Sequence, residues 1–89
     1  MGYAVSLTPK ATKLLEDLPR AAQQRIAERL AWLAAEPHGA GVSKVVSAAA
    51  PVYRAKAGRD YRIVFAVDDA AREVLVVWVG NRRDAYRQR

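Results

Sequence analysis

Cysteine is absent from this chain of 89 residues, and histidine occurs once, at His38. Without cysteine there is neither a disulfide framework nor a thiolate metal site, and one histidine argues against a zinc centre. The expectation is a chain without metal or cofactor in a reducing compartment. Long apolar runs are missing too. No stretch of about 18 apolar residues is available to span a bilayer, and the N-terminus lacks the basic-then-apolar order of a signal peptide. The chain therefore reads as soluble, unexported and cytoplasmic. Acidic side chains are in deficit, nine Asp and Glu against fifteen Lys and Arg, for a formal net charge of +6. The imbalance is uneven: residues 1–50 hold six basic and four acidic side chains, residues 51–89 nine and five. A field of that sign favours nucleic acid, an acidic protein segment or an anionic surface.

Half of the residues are hydrophobic, which suits one small domain over residues 1–89 with a single core. Tyr3–Leu7 alternates large with small residues and predicts a short strand with Tyr3, Val5 and Leu7 inward. Thr8-Pro9 reads as a helix cap with proline at the first helical position. Ala11, Leu14, Leu15 and Leu18 recur at helical spacing until Pro19, which ends that helix and opens a second one running to about Ala35, with Asp17 or Leu18 near its cap. The second helix carries a stripe of Ala22, Ile26, Leu30 and Leu33, with Ala27, Ala31 and Ala34 widening it.

Glu36–Gly41 is dense in breakers and marks the passage from helix to strand. Beyond it, Ser43–Val46, Val52–Ala57, Asp60–Val67 and Glu73–Val79 predict strands, the last three joined by links short enough for an antiparallel meander. The fold class is α+β: two antiparallel N-terminal helices laid on a small, mainly antiparallel sheet in the order β-α-α-β-β-β, with a short C-terminal helix or tail.

Strand side chains point alternately to opposite faces, so parity decides what meets what. Arg54 and Lys56 share a face of one strand, and Asp60, Arg62, Val64 and Ala66 share a face of the next. Tyr61, Ile63, Phe65 and Val67 form the greasier set that suits the helices. Keeping Tyr53 with that set requires an odd number of loop residues, or a bulge, near Gly58. Arg54, Lys56 and Arg62 then converge on the open face.

The Leu14–Pro19 step between helices, Tyr53-Arg54, the Asp60–Phe65 strand, and the ending from Val79-Gly80 to Tyr86-Arg87 together resemble the RelE/ParE superfamily of toxins from toxin-antitoxin pairs. The likeness is nearest to the RelE-type messenger-RNA endonucleases and covers almost the whole chain. The resemblance implies a ribosome-dependent endoribonuclease that cleaves mRNA in the A site and inhibits translation. It also implies which positions matter: Arg54 and Lys56 on the active strand, Arg62 on the next, Arg82 after the Val-Gly step, and Tyr86 near the C-terminus. Asn81 stands where many relatives carry histidine or lysine.

Attack of a 2′-oxygen on the adjacent phosphate needs removal of a proton, stabilisation of spreading phosphoryl charge, and protonation of the leaving 5′-oxygen. Arginine forks onto non-bridging oxygens while staying ionised, the role expected of Arg62 and Arg82. Free lysine titrates near about 10.4 and tyrosine near about 10, so either serves as a base at neutral pH only where neighbouring cations depress its pKa. Lys56 is thus a base or acid. Tyr86 is a base, a stacking platform, or an anchor for a terminal helix. Arg82 has the alternative of neutralising Asp84 or interacting with another nearby carboxylate. Arg54, Arg59, Arg83, Arg87 and Arg89 belong to the positive field that holds RNA and ribosome. His38 reads as a solvated loop residue, and Trp32 and Trp78 as core or partner contacts.

Two other functions share these residues: a ParE-type toxin that inhibits DNA gyrase by protein contact, and an inactive RNA- or protein-binding relative. On either toxin reading the partner implied is an antitoxin with an acidic, wrapping segment. DNA would be met only through that antitoxin, and no membrane partner is implied.

Overall fold

The computed structural model describes residues 2–39, 41–44 and 52–84. Strand β1 (Ala4–Leu7) leads into helices α1 (Pro9–Glu16) and α2 (Arg20–Ala35), followed by strands β2 (Val42–Lys44), β3 (Val52–Ala57), β4 (Tyr61–Asp68) and β5 (Glu73–Asn81). The strands form one sheet in the order β1-β5-β4-β3-β2. All pairs are antiparallel except β1 with β5, where Ala4–Leu7 lies parallel to Glu73–Val76. The expected C-terminal helix or tail beyond residue 84, and the Val45-Val46 end of the second expected strand, lie outside the described residues.

Local chemistry starts each helix differently. At α1 the Thr8 side chain accepts from the Ala11 amide at 3.1 Å, and proline follows the cap as the sequence requires. At α2 the cap is Pro19, which has no side chain to offer, so Asp17 and Leu18 do not cap it. Asp17 instead closes α1, and the Gln23 amide nitrogen donates to the Glu16 and Leu18 carbonyls at 3.1 and 2.9 Å, tying the two helices together.

Both helices pack on one face of the sheet. Ala11, Ile26 and Leu33 meet Ala55, Ala57, Ile63, Phe65, Val74, Val76 and Val79 in a single buried cluster, with Tyr3, Val5 and Leu7 packed against it as parity demands. Ala27 and Ala31 are exposed, so the buried stripe of α2 is narrower than its alanines imply. Trp32 is also largely outside the core: 37% exposed, it lies under the Arg29 guanidinium, 4.1 Å from the ring centre.

The β3–β4 link is a three-residue turn, Gly58–Asp60, which meets the odd-number requirement. Asp60 belongs to this turn rather than to the strand. Gly58 takes a φ of 71°, a left-handed conformation that glycine adopts without a Cβ penalty. Pairing then runs Tyr53 to Phe65, Ala55 to Ile63 and Ala57 to Tyr61 on the core face, and Arg54 to Val64 and Lys56 to Arg62 on the other.

At the opposite end of the sheet a polar clasp joins three segments. The Tyr3 hydroxyl donates to Asp69 at 2.7 Å, and His38 Nε2 lies 2.9 Å from the same carboxylate oxygen. His38 also meets Tyr53 edge-on, so it is not merely a solvated loop residue. The Tyr3 and His38 hydrogen bonds hold the Asp69 carboxyl below its ordinary pKa, while the bond to Asp69 raises that of Tyr3.

Thr8→Ala removes one capping bond and should lower stability by about 1 kcal/mol in denaturant unfolding with an unchanged m-value. A depressed Asp69 contributes stability above its unfolded pKa that is lost as pH falls through the folded pKa. Asp69→Asn should therefore flatten the acid limb of a melting-temperature profile recorded below about pH 5.

Candidate functional site

The face of the sheet away from the helices carries the expected cations because alternation and the Gly58–Asp60 turn leave them no other side. Reading across the strands, Ser43 pairs with Arg54, Arg54 with Val64, and Val64 with Trp78. One row further on, Lys56 pairs with Arg62 and Arg62 with Gly80. Arg54, Lys56 and Arg62 line a shallow depression of about 120 Å³ together with Gly41, Ser43 and Ala55. Lys56 is exposed and the two arginines are half-buried.

Arg62 is oriented by its own turn. Its Nη1 donates to the Tyr61 carbonyl at 2.9 Å and more weakly to that of Arg59 at 3.4 Å. The remaining N–H groups of the fork can meet a phosphate, the geometry in which arginine binds oxyanions best. Arg59 and Arg82 lie at the same end of the sheet, because the Arg82 amide donates to the Asp60 carbonyl at 2.7 Å and closes the end of β5 against the β3–β4 turn. Asn81 shapes the next turn, its side-chain oxygen accepting from the Arg83 amide at 3.0 Å and its carbonyl from the Asp84 amide at 2.9 Å. Among the described residues Arg82 makes no ion pair with Asp84, so that alternative role is not realised. Tyr86, Arg87 and Arg89 lie outside the described residues.

A bulge in β5 decides how the site is bordered. Phe65 pairs with Val76 but Val64 with Trp78, so Val77 is an extra residue that shifts the parity of the strand. Val79 consequently falls opposite Ile63 and is buried in the core, while Trp78 falls in the row of Arg54 and Val64. Trp78 is only 6% exposed, and its indole leans over Gly80, where an added Cβ would come within 2.7 Å of the ring. Trp78 and Gly80 also line a second cavity of about 300 Å³, with Leu14 of α1, Leu18 of the junction between the helices, and Tyr61.

Ser43 and Gly41 escaped the sequence reading. The chain between β2 and β3 is too long to fix their register from spacing, so the pairing of Ser43 with Arg54 is a product of the sheet. The His38–Asp69–Tyr3 cluster escaped for a related reason: its members are separated by 31 to 66 positions and meet only through the fold.

With this geometry in view, similarity to known proteins is informative. The model of the family described as the ParE toxin of the type II toxin-antitoxin system parDE matches residues 5–86. No curated protein is significantly similar in sequence. Among solved structures, the archaeal RelE-RelB complex of Pyrococcus horikoshii contains a chain 28% identical, with a TM-score of 0.77 over 92% of this chain and 97% of that one. A chain of the toxin-antitoxin complex RelBE2 of Mycobacterium tuberculosis is 25% identical, with a TM-score of 0.81 over 92% and 100%. The isolated RelE toxin of E. coli, 22% identical, shares the fold with a TM-score of 0.75 over 97% and 93%.

Gly80→Ala should destabilise the chain by about 1–3 kcal/mol, because the Trp78 ring must give way. Tryptophan fluorescence of the folded state, measured with and without Gly80→Ala in a Trp32→Phe background so that only Trp78 emits, should report the displacement.

Proposed function

The chain belongs to the ParE toxin family of type II toxin-antitoxin systems, and from that premise we propose that it is a toxin acting as a ribosome-dependent endoribonuclease on mRNA in the A site. The observation that carries this reading is the convergence of Arg54, Lys56 and Arg62 on one depression of the open sheet face, with Arg82 at its end. In the proposed reaction the 2′-oxygen attacks the adjacent phosphorus, the bond to the 5′-oxygen breaks, and the products are a 2′,3′-cyclic phosphate and a free 5′-hydroxyl. The proton leaving the 2′-hydroxyl goes to a base, and the departing 5′-oxygen receives one from an acid. Lys56 and Tyr86 are the residues proposed for those two transfers. Arg62 and Arg82 stabilise the charge gathering on the phosphoryl oxygens. Arg54, Arg59, Arg83, Arg87 and Arg89 supply the field that holds RNA and ribosome.

The partner proposed is an antitoxin, which the structures of relatives solved with their antitoxins support, and the net charge of +6 favours an acidic segment that wraps the domain. The place of action is the cytoplasm. Among the described residues no helix is long and apolar enough to cross a membrane. The description of the matched family favours a second reading, inhibition of DNA gyrase by protein contact. That mechanism needs no ordered set of phosphate-binding groups.

Inducing the chain alone in a bacterium, and mapping the 5′ ends of translated messages, separates the two. Translation-dependent cleavage within codons is expected, and Arg62→Ala or Lys56→Ala should reduce it by about 10²-fold or more, the scale of losing one preorganised charge stabiliser. Tyr86→Ala should reduce it as well. Growth arrest with intact messages and a DNA-damage response would identify the gyrase mechanism instead.

A further inference from the structure

The basic depression does not end where its cations end. On the same face, the row Val52–Ala66–Leu75 runs across β3, β4 and β5, and Leu75 pairs onward with Ser6 of β1. None of these apolar side chains takes part in the buried core cluster. Leu75 is 41% exposed, and Val52, Val64 and Ala66 are half-exposed. Beyond this row the face turns acidic, with Asp68 paired to Glu73 and both exposed. The open face is therefore graded: cations at one end, a flat apolar band in the middle, carboxylates at the other end. The band thus places apolar surface on the open face directly beside the cations.

Resting on the endoribonuclease reading, we propose that the Val52–Ala66–Leu75 band is a platform for one unstacked nucleobase of the RNA strand whose phosphate sits against Arg54, Lys56 and Arg62. Three features select this occupant. The band is continuous with the basic depression, since Val52 and Arg54 lie on one face of β3 two residues apart, about 7 Å along the strand. Its width, three side chains in neighbouring strands at about 4.8 Å spacing, matches the flat face of a base. It is far smaller than the surface of about 800 Å² per partner that a stable protein interface buries. The carboxylates of Asp68 and Glu73 repel a second phosphate beyond the band, so the strand must turn away after one base. RNA-binding sheets commonly use such a splayed base for recognition, usually on aromatic side chains. Here the platform is aliphatic, which predicts a contact that reads the presence of a base more than its identity.

The test uses ribosomes programmed with a 2′-O-methylated A-site codon, which cannot be cleaved, and binding of the full chain to them. One base of the codon is removed at a time to leave an abasic nucleotide. The parent chain should bind about tenfold more weakly when one particular position is abasic, the cost of leaving the leucine platform uncovered. Leu75→Ser should bind the intact codon about as weakly as that, and should no longer distinguish it from the abasic one. Leu75→Phe should restore the distinction, which separates a platform from a fold defect. Equal binding by the parent chain at all three positions would overturn the proposal while leaving the phosphate site in place. A Leu75→Ser chain that still distinguishes the abasic codon would overturn it as well. Weaker antitoxin binding by Leu75→Ser with RNA discrimination unchanged would assign the band to the protein partner instead. A parent chain that binds no programmed ribosome at all would remove the ribosomal reading itself, a result distinguishable from the others.

Discussion

The pairing of Lys56 with Arg62 across the Gly58–Asp60 turn is the constraint on which the arrangement of this domain depends. Side chains on a regular strand alternate between the two faces, so one residue more or fewer in that turn would carry Tyr61, Ile63 and Phe65 to the opposite side from Tyr53, Ala55 and Ala57. The helices would then have to cover a mixed face. With three residues in the turn, the apolar sets of β3 and β4 coincide, and the charged sets coincide as a consequence. Core formation and assembly of the basic face are thus one event. The hydrophobic side holds the register, and the register brings Arg54, Lys56 and Arg62 together despite their mutual repulsion.

The bulge at Val77 extends this logic to β5. Without it, Trp78 would follow Val74 and Val76 onto the core side, and Val79 would be turned away from it. With the extra residue, Val79 fills the core beside Ile63, and Trp78 stands in the row of Val64 and Arg54. Bulges commonly re-aim side chains near functional sites. The same strand then carries the Asn81 turn, and the Arg82 amide is locked to Asp60 so that the C-terminal cations start next to the β3–β4 hairpin. Cations from three separate stretches of the sequence are thereby gathered at one end of the sheet.

The opposite end is fastened by different chemistry. Tyr3, His38 and Asp69 come from the start of β1, the α2–β2 loop and the β4–β5 turn, and they meet without using any group of the basic face. The clasp holds the loop that leads into β2, and β2 supplies Ser43 to the wall of the depression. Arg29 on α2 braces the same loop through Trp32, whose ring lies against Gly39. Strand β2 is only three residues long, so these contacts from outside the sheet complement its short ladder to β3.

Much of the fold was legible in the residues themselves. Thr8-Pro9 starts a helix because a hydroxyl cap and a proline without an amide both suit that place. The alternation from Val52 to Val67 fixes two strands and their faces, and with them the three central cations of the site. Where sequence reading went astray, a local pattern yielded to its surroundings. Ala27 and Ala31 fit the helical stripe but are exposed, and Asp17, the good intrinsic N-cap of the expected pair, closes α1 instead while Gln23 bridges the junction.

The sequence by itself determined the main helices and strands, the inward faces of β3 and β4, and the concentration of charge in the second half of the chain, because these depend on neighbours a few residues apart. Tertiary structure alone decided that β1 pairs parallel with β5, that Val77 bulges, that Ser43 stands beside Arg54, and that Asp69 gathers Tyr3 and His38. Each of those contacts joins segments that no local periodicity connects. They form because the chain must satisfy backbone hydrogen bonds and fill one core at the same time, and that requirement acts on the whole domain at once.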